Sequence, residues 1–428
     1  MADFDAIVVG SGCAGPAAAI ELARAGRSVL VVERGTFAGA KNVSGGRLYT
    51  HALKALLPDA AAAAPLERRI VRERVSMLSA DSATTLDVTD EAMRDERHAS
   101  WSVLRARFDP WLAEQAEAAG AEYVTGIAVE ALLKDGERVT GVRAGEDEIT
   151  ADVVLLCDGV NSLLTPQAVG AARPRPDQVA VGVKQVVELP ESVISDRAMC
   201  ADGEGMAWLF VGDATHGTVG GGFLYTNRDT ISVGVVATVS AVMESDTAIY
   251  EMLEDFTHHP SVAPMLRGGR VVEHSGHLVA EGGYDAMPPL VGDGVLLAGE
   301  SAFMCVNAGY TVRGMDLALA AGQQAGRSAA AALAAGDTST AGLAGYRTAL
   351  EDSFVLRDLR TLRRFPHFME STPRVFRDYP DLARDVMREL FLVDGTPMRR
   401  PSRAIPGIAR RTGYLNVARD LAKGMRAL

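Results

Sequence analysis

With 428 residues, 48% hydrophobic and 23% charged, the chain is too long for one ordinary domain and too apolar for disorder, so a two-lobed globular protein able to bury a large cofactor is expected. A net charge of -12 argues against nucleic acid as a partner, because phosphate binding needs a basic footprint. Cys13, Cys157, Cys200 and Cys305 are scattered without a CxxC pair, which argues against a disulfide framework or a metal centre and favours a reducing, cytoplasmic setting; no signal-like core and no run of about 18 apolar residues suggests export or membrane spanning.

The chain opens on "DAIVVGSGCAGPAAAIELARAGRSVLVVERG". A β-branched run, Ile7 to Val9, enters a glycine turn, an Ala-rich helix follows, and a second strand, Val29 to Val32, ends at Glu33. Gly10 permits the tight turn, Gly12 lets a pyrophosphate approach the backbone, Gly15 lets helix and strand pack closely, and Glu33 is placed to bind an adenosine ribose. Cys13 and Ala14 fill the variable places of the turn, Cys13 as a small filler rather than a redox thiol. Such a strand, turn, helix, strand and acid together predict a dinucleotide site.

After Arg34 the chain runs through "GTFAGAKNVSGGRLY" instead of the next helix. That loop suits an extended crossing of a long cofactor, FAD rather than NAD. Lys41, Asn42 and Ser44 beside Gly45 and Gly46 place it near a flavin ring, the alternative being an ordinary surface loop. Next, Leu104, Phe108, Trp111 and Leu112 mark an amphipathic helix preceded by Arg105, a candidate for a phosphate or ribityl oxygen. Two short strands, Ala128 to Leu133 and Val139 to Ala144, flank a turn at Asp135 and Gly136, and "ADVVLLCDGVNS" gives a buried strand ending at Asp158.

Between Val179 and Val239 the texture becomes alternating, predicting a mostly antiparallel second sheet inserted in the first lobe. Phe223, Tyr225 and Trp208 are candidates to roof a substrate pocket, or ordinary core aromatics. His274 and His277 are the weak candidates for proton handling, together with Tyr225; structural roles are the simpler reading. "VLLAGESAFMCVNAGYTVRGMDLALAAG" then supplies a strand to Ala298, the turn Gly299-Glu300, a loop and a helix from about Gly314 to Ala335, whose N-terminus favours a reduced, anionic flavin. The tail is helical and basic: from Met398 onward Arg399, Arg400, Arg403, Arg410, Arg411, Arg419, Lys423 and Arg426 stand against Asp420 alone, which reads as a docking face for an acidic partner or a membrane surface, or as a solvated face.

The first glycine turn with its flanking strands, "GAKNVSGGRLY", "VGVKQVVELPESVI", "EGGYDAMPPLVGDGVLLAGESAFMCVNAGYTVRGMDLALAAG" and "YRTALEDSFVLRDLR" together resemble the FixC-type flavoproteins, relatives of electron-transfer flavoprotein:quinone oxidoreductase and, more distantly, of geranylgeranyl reductases and aromatic hydroxylases. The resemblance runs over nearly the whole chain. It implies an α/β fold: a FAD-binding Rossmann-like domain of the glutathione-reductase type with an inserted antiparallel β substrate domain and a helical C-terminal segment. The expected division is 1–75, 100–170 and 275–340 for FAD, 76–99 and 171–274 for the cap, and 341–428 for the helical, basic tail. It further implies that Gly10, Gly12 and Gly15 contact the pyrophosphate and Glu33 the ribose, that Arg105 and Asp158 lie near the cofactor, and that the loop with Gly309, Tyr310, Thr311 and Val312 flanks the flavin. Glu300 stands where the family has Asp, one methylene shorter, next to Gly299. The resemblance to the quinone oxidoreductase implies a cysteine-ligated cluster near the C-terminus, but no cysteine follows Cys305, so either a cluster comes from a ferredoxin-like protein or none is used.

The expected function is that of a FAD-dependent oxidoreductase taking electrons from an electron-transfer flavoprotein and passing them to a quinone or ferredoxin, cytoplasmic or at a membrane periphery. The alternative is a FAD-dependent dehydrogenase, reductase or hydroxylase acting directly on a small organic metabolite.

Overall fold

Two sheets face each other across the middle of the protein, in a computed structural model that describes residues 2–42 and 46–428. The first sheet grows from the apolar runs expected of buried parallel strands. Phe4–Val9 pairs in parallel with Val29–Glu33 on one side and with Asp147–Leu156 on the other. Glu122–Thr125 and Val295–Leu297 extend it outward, again in parallel. Arg138–Ala144 and Val129–Asp135 add an antiparallel flap.

Two helices pack together over this sheet, Ala14–Arg24 and Met315–Ala335. Their contact depends on missing side chains. A Cβ at Gly322 would lie 2.1 Å from the Ala14 carbonyl oxygen, and one at Gly326 would lie 2.4 Å from that of Ala18. The small-residue run of the second helix is thus a packing surface, with the helix axes closer than larger side chains allow.

The second sheet runs in the order Arg270–Ala280, Val179–Glu188, Thr230–Thr238, Gly220–Thr226, Glu204–Gly212, Leu66–Ser79, Ser100–Val103, Gly46–Tyr49, with Ser82–Thr89 paired to Leu66–Ser79. Its pairings are antiparallel except between Glu204–Gly212 and Leu66–Ser79. A chain division at residue 76 would therefore cut through a continuous strand, and strands on both sides of that point belong to the same sheet.

One face of the second sheet carries Trp208, Leu224, Val235 and Val183 against the helix Ile249–His258. The other face looks toward the first sheet. Arg68, fully buried, locks the turn at Asn227 by donating to the carbonyl oxygens of Asn227, Arg228, Glu191 and Glu204 and to Ser195 Oγ. A buried charge persists there because its donors are satisfied by fixed acceptors.

The tail is helical: Gly345–Asp352, Phe354–Thr361, Phe365–Glu370, Arg374–Phe391, Pro401–Thr412 and Tyr414–Ala427. Tyr346 ties it to the parallel sheet, donating its hydroxyl to the Leu297 carbonyl at 2.9 Å. Among the described residues no helix is long and apolar enough to cross a membrane.

Candidate functional site

The carboxyl ends of four parallel strands open on one cavity of about 680 Å³, at Gly10, Glu33, Asp158 and Gly299. Crevices outside the carboxyl ends of parallel strands are where open α/β sheets bind ligands. The inner face of the second sheet forms the far wall, through Gly182, Lys184, Gly222, Phe223 and Tyr225.

Each glycine of the first turn has its own reason. Gly10 has φ +97°, and a Cβ there would strike the Cys157 carbonyl oxygen at 2.5 Å. Gly15 is buried under the turn rather than in the cavity wall: its Cβ would fall 2.0 Å from the Gly10 carbonyl oxygen. Close helix-to-strand packing therefore requires glycine here, as the sequence suggested. At Gly12 the Cβ position meets only Arg105 Nη2, at 3.6 Å, so the backbone faces open cavity beside a guanidinium. Glu33 accepts from the backbone N–H groups of Ser11 and Gly35, at 2.8 and 2.6 Å, which fixes its carboxylate at the strand end.

Arg105 begins the helix Arg105–Ala119 and pairs with Asp109 one turn later, at 2.6 and 2.7 Å. Asn42 donates to the same carboxylate. Asp158 keeps Oδ1 without a partner among the described residues, and burial pushes its carboxyl up to about 6. Glu300 follows Gly299, whose φ of +73° makes the turn out of Val295–Leu297. Burial pushes Glu300 up to about 7, against the pull of Arg105. Glu281, which accepts from Asn307 Nδ2 at 3.2 Å, is likewise pushed up to about 7 by burial, with the Glu300 charge adding to the shift.

Cys13, Ala14, Arg34, Lys41, Gly46, Gly309 and Val312 line the cavity with these groups. Burial pushes the Cys13 thiol up to about 12, which makes it a packed thiol and not a thiolate nucleophile. Ser44 and Gly45 lie outside the described residues. Tyr310 and Thr311 are not in the wall: the short hairpin Val306–Asn307 to Val312–Arg313 turns Tyr310 outward, 56% exposed, and joins the Thr311 hydroxyl to Tyr49 at 2.7 Å. His274 and His277 separate, because His274 is exposed on Arg270–Ala280 while His277 lines the cavity. Burial, with Arg105 and Arg34, pushes His277 down to about 4, so it is neutral near pH 7. Trp208 is on the far face, bonded to Ser76 Oγ at 2.7 Å, and does not roof the cavity.

The cavity also holds residues that the sequence reading passed over: Lys184, Glu281 and, from the tail, Phe365, Phe368 and Met369. Lys184 carried a signal, a lysine inside the apolar strand "VAVGVKQVV". For the tail residues the only signal was the chain's return to the glycine loop, where Phe365 lies 3.4 Å from the Cβ position of Gly309.

The site accommodates FAD on its own terms: an open glycine backbone beside an arginine, a fixed carboxylate at the second strand end, and an unpartnered Asp158 oxygen within a long cavity. Residues 5–174 match the model described as FAD dependent oxidoreductase, and residues 365–428 match the ETF-QO/FixC family C-terminal domain. The chain is 47% identical over 425 residues, 99% of both chains, to the probable electron transfer flavoprotein-quinone oxidoreductase YdiS of Escherichia coli K12. It is similarly 47% identical over 425 residues, 99% of both, to Protein FixC of the same organism. The chain belongs to the ETF-QO/FixC family.

It is accordingly a FAD-dependent oxidoreductase. Solved structures of the same fold include a geranylgeranyl bacteriochlorophyll reductase-like protein from Thermoplasma acidophilum, with TM-score 0.73 and 17% identity over 98% of this chain and 99% of that one. The flavin-dependent brominase Bmp2 follows with TM-score 0.65 and 18% identity over 95% and 99%. At such identities the likeness is one of fold.

Proposed function

We propose that this protein takes electrons from an electron-transfer flavoprotein partner and passes them through FAD to a quinone, with a ferredoxin-like protein as the other candidate acceptor. The observation that carries the reading is the joining of both glycine turns and the second sheet around one cavity, in a chain 47% identical over its full length to a probable electron transfer flavoprotein-quinone oxidoreductase. FAD supplies the redox chemistry when bound. The chain's own task is to hold it, tune its surroundings and present it to partners.

In this reading the Gly12 backbone and Arg105 take the pyrophosphate, and Glu33 takes the adenosine ribose through the lone pairs left beside its two backbone donors. Asp158 and Glu300 meet the central part of the cofactor. Burial favours their protonated forms, in which a carboxyl group can donate a hydrogen bond as well as accept one. Gly309, Val312 and the buried Phe365 line the cavity at the flavin end.

The tail helices suit contact with an anionic membrane surface. Leu421 and Met425 are exposed at helical spacing on Tyr414–Ala427 with Leu428 just beyond it, Leu415 is 86% exposed, Phe391 is exposed at the end of Arg374–Phe391, and Leu392, Val393 and Met398 are exposed between that helix and Pro401–Thr412. Arg400, Arg403, Arg410 and Lys423 lie among them. Three of the basic residues are already paired, Arg399 with Glu389, Arg411 with Asp385 at 3.8 Å and Arg419 with Asp420 at 3.7 Å, and Asp420 is buried against Arg374 and Tyr379. The discriminating assay for the whole reading is anaerobic reduction of the bound flavin by alternative donors.

A further inference from the structure

The cavity face of the second sheet carries one residue out of keeping with its neighbours. Lys184 stands mid-strand, opposite Gly234 on one side and Ser275 on the other. It is 1% exposed, and its Nζ has no hydrogen-bond partner among the described residues, yet its side chain lines the cavity. An amine so placed is costly to bury, and its donors remain available to whatever enters the cavity.

The strand partners leave room for it. A Cβ at Gly234 would fall 2.6 Å from Lys184 Cβ and 2.4 Å from Phe223 Cζ, so the lysine stem and the phenylalanine ring lie side by side over a residue without a side chain. Tyr225 continues that surface, its ring centroid 5.5 Å from that of Phe223 with the planes 30° apart. The result is an aromatic floor bordered by the Lys184 amine, with the Tyr225 hydroxyl as a second polar group. Burial pushes Lys184 down to about 7, with Glu273 on the neighbouring strand favouring the ammonium and Arg105 opposing it. Either protonation state still offers an N–H.

Resting on the electron-transfer reading above, we propose that Lys184 is the hydrogen-bond donor to a carbonyl oxygen of the quinone, whose ring lies against Phe223 and Tyr225. A neutral, planar carbonyl compound suits both halves of the surface.

The test is calorimetric titration of the FAD-loaded, full-length protein with menadione and with 1,4-dimethoxy-2-methylnaphthalene, a flat analogue in which both carbonyls are replaced. Lys184→Met, similar in length but without a donor, is expected to keep its FAD content and thermal midpoint while the menadione dissociation constant rises tenfold or more. The dimethoxy analogue is expected to bind the native protein and the variant alike. Lys184→Gln, which retains an N–H donor, is expected to recover part of the menadione affinity, and it carries the comparison if the methionine variant does not fold. Menadione binding within twofold of native in Lys184→Met, or an equal loss for the dimethoxy analogue, overturns the assignment. Failure of the native protein to bind menadione overturns the quinone reading itself, an outcome separate from any effect of the variants.

Discussion

Arg105 and Asp109 form a two-point ion pair one helical turn apart, at 2.6 and 2.7 Å, in which the aspartate is wholly buried and the arginine reaches the open side of the Gly12 backbone. The aspartate thus aims the guanidinium at the place where a pyrophosphate approaches the first turn. Removing Asp109 leaves a charge uncompensated against the glycine turn, the kind of change that costs roughly 3 kcal/mol. Asp109→Asn should lower the stability of the apoprotein by about that amount in urea unfolding, and it should weaken FAD retention as well. Arg105→Ala combined with Asp109→Asn should cost less than the sum of the single changes.

Glu300 gives the sharpest local test of the second turn. Its carboxyl sits in a buried position after Gly299, where burial favours the protonated form. Glu300→Ala should release FAD at least tenfold more readily than native on gel filtration, whereas Glu300→Asp should retain most of it. Equal FAD content in the two variants would contradict the role given to this residue.

Glu281 sets a pH dependence. Its carboxyl is raised from an ordinary 4.5 to about 7 by burial, so the folded state holds a proton that the unfolded state releases. A raised carboxyl therefore lowers folded stability as pH climbs from about 4.5 to about 7, and the cost stays constant above that. Glu281→Gln keeps an acceptor for Asn307 and removes the titration. Its thermal midpoint relative to native should therefore be higher at pH 8 than at pH 5, and an unchanged difference would show that Glu281 does not titrate there.

The basic, apolar tail predicts a salt-dependent surface contact. The FAD-loaded protein should sediment with vesicles containing phosphatidylserine and not with pure phosphatidylcholine, and added salt should weaken the association. Leu421→Glu with Met425→Glu should abolish sedimentation without loss of FAD, since both side chains are exposed. Equal binding of the double variant would remove the tail from the contact.

What could be read in the sequence was what depends on local pattern. The first turn announces itself because Gly10, Gly12 and Gly15 each answer a backbone requirement, and the apolar strands around Val8 and Leu155 declare a buried parallel sheet by composition. The second sheet was legible in its alternation from Val179 onward, although the long strand Leu66–Ser79 was not, because its mixed charges resemble a surface segment. Asp109 and Lys184 were missed because burial of a charge is decided by tertiary neighbours: Arg105 and Asn42 for the one, Gly234 and Phe223 for the other. Tyr310 was misplaced because a hairpin of two-residue strands reverses direction within a loop that reads as continuous.

The source of electrons is what most directly decides this protein's function. The FAD-loaded protein should be mixed anaerobically with a reduced electron-transfer flavoprotein, or with NADH or NADPH in the presence and absence of a small aromatic substrate, while flavin absorbance is followed. Bleaching by the reduced flavoprotein, reversed on adding a quinone, is the predicted result. Rapid bleaching by NADH or NADPH stimulated by the aromatic compound, with none from the reduced flavoprotein, would contradict it.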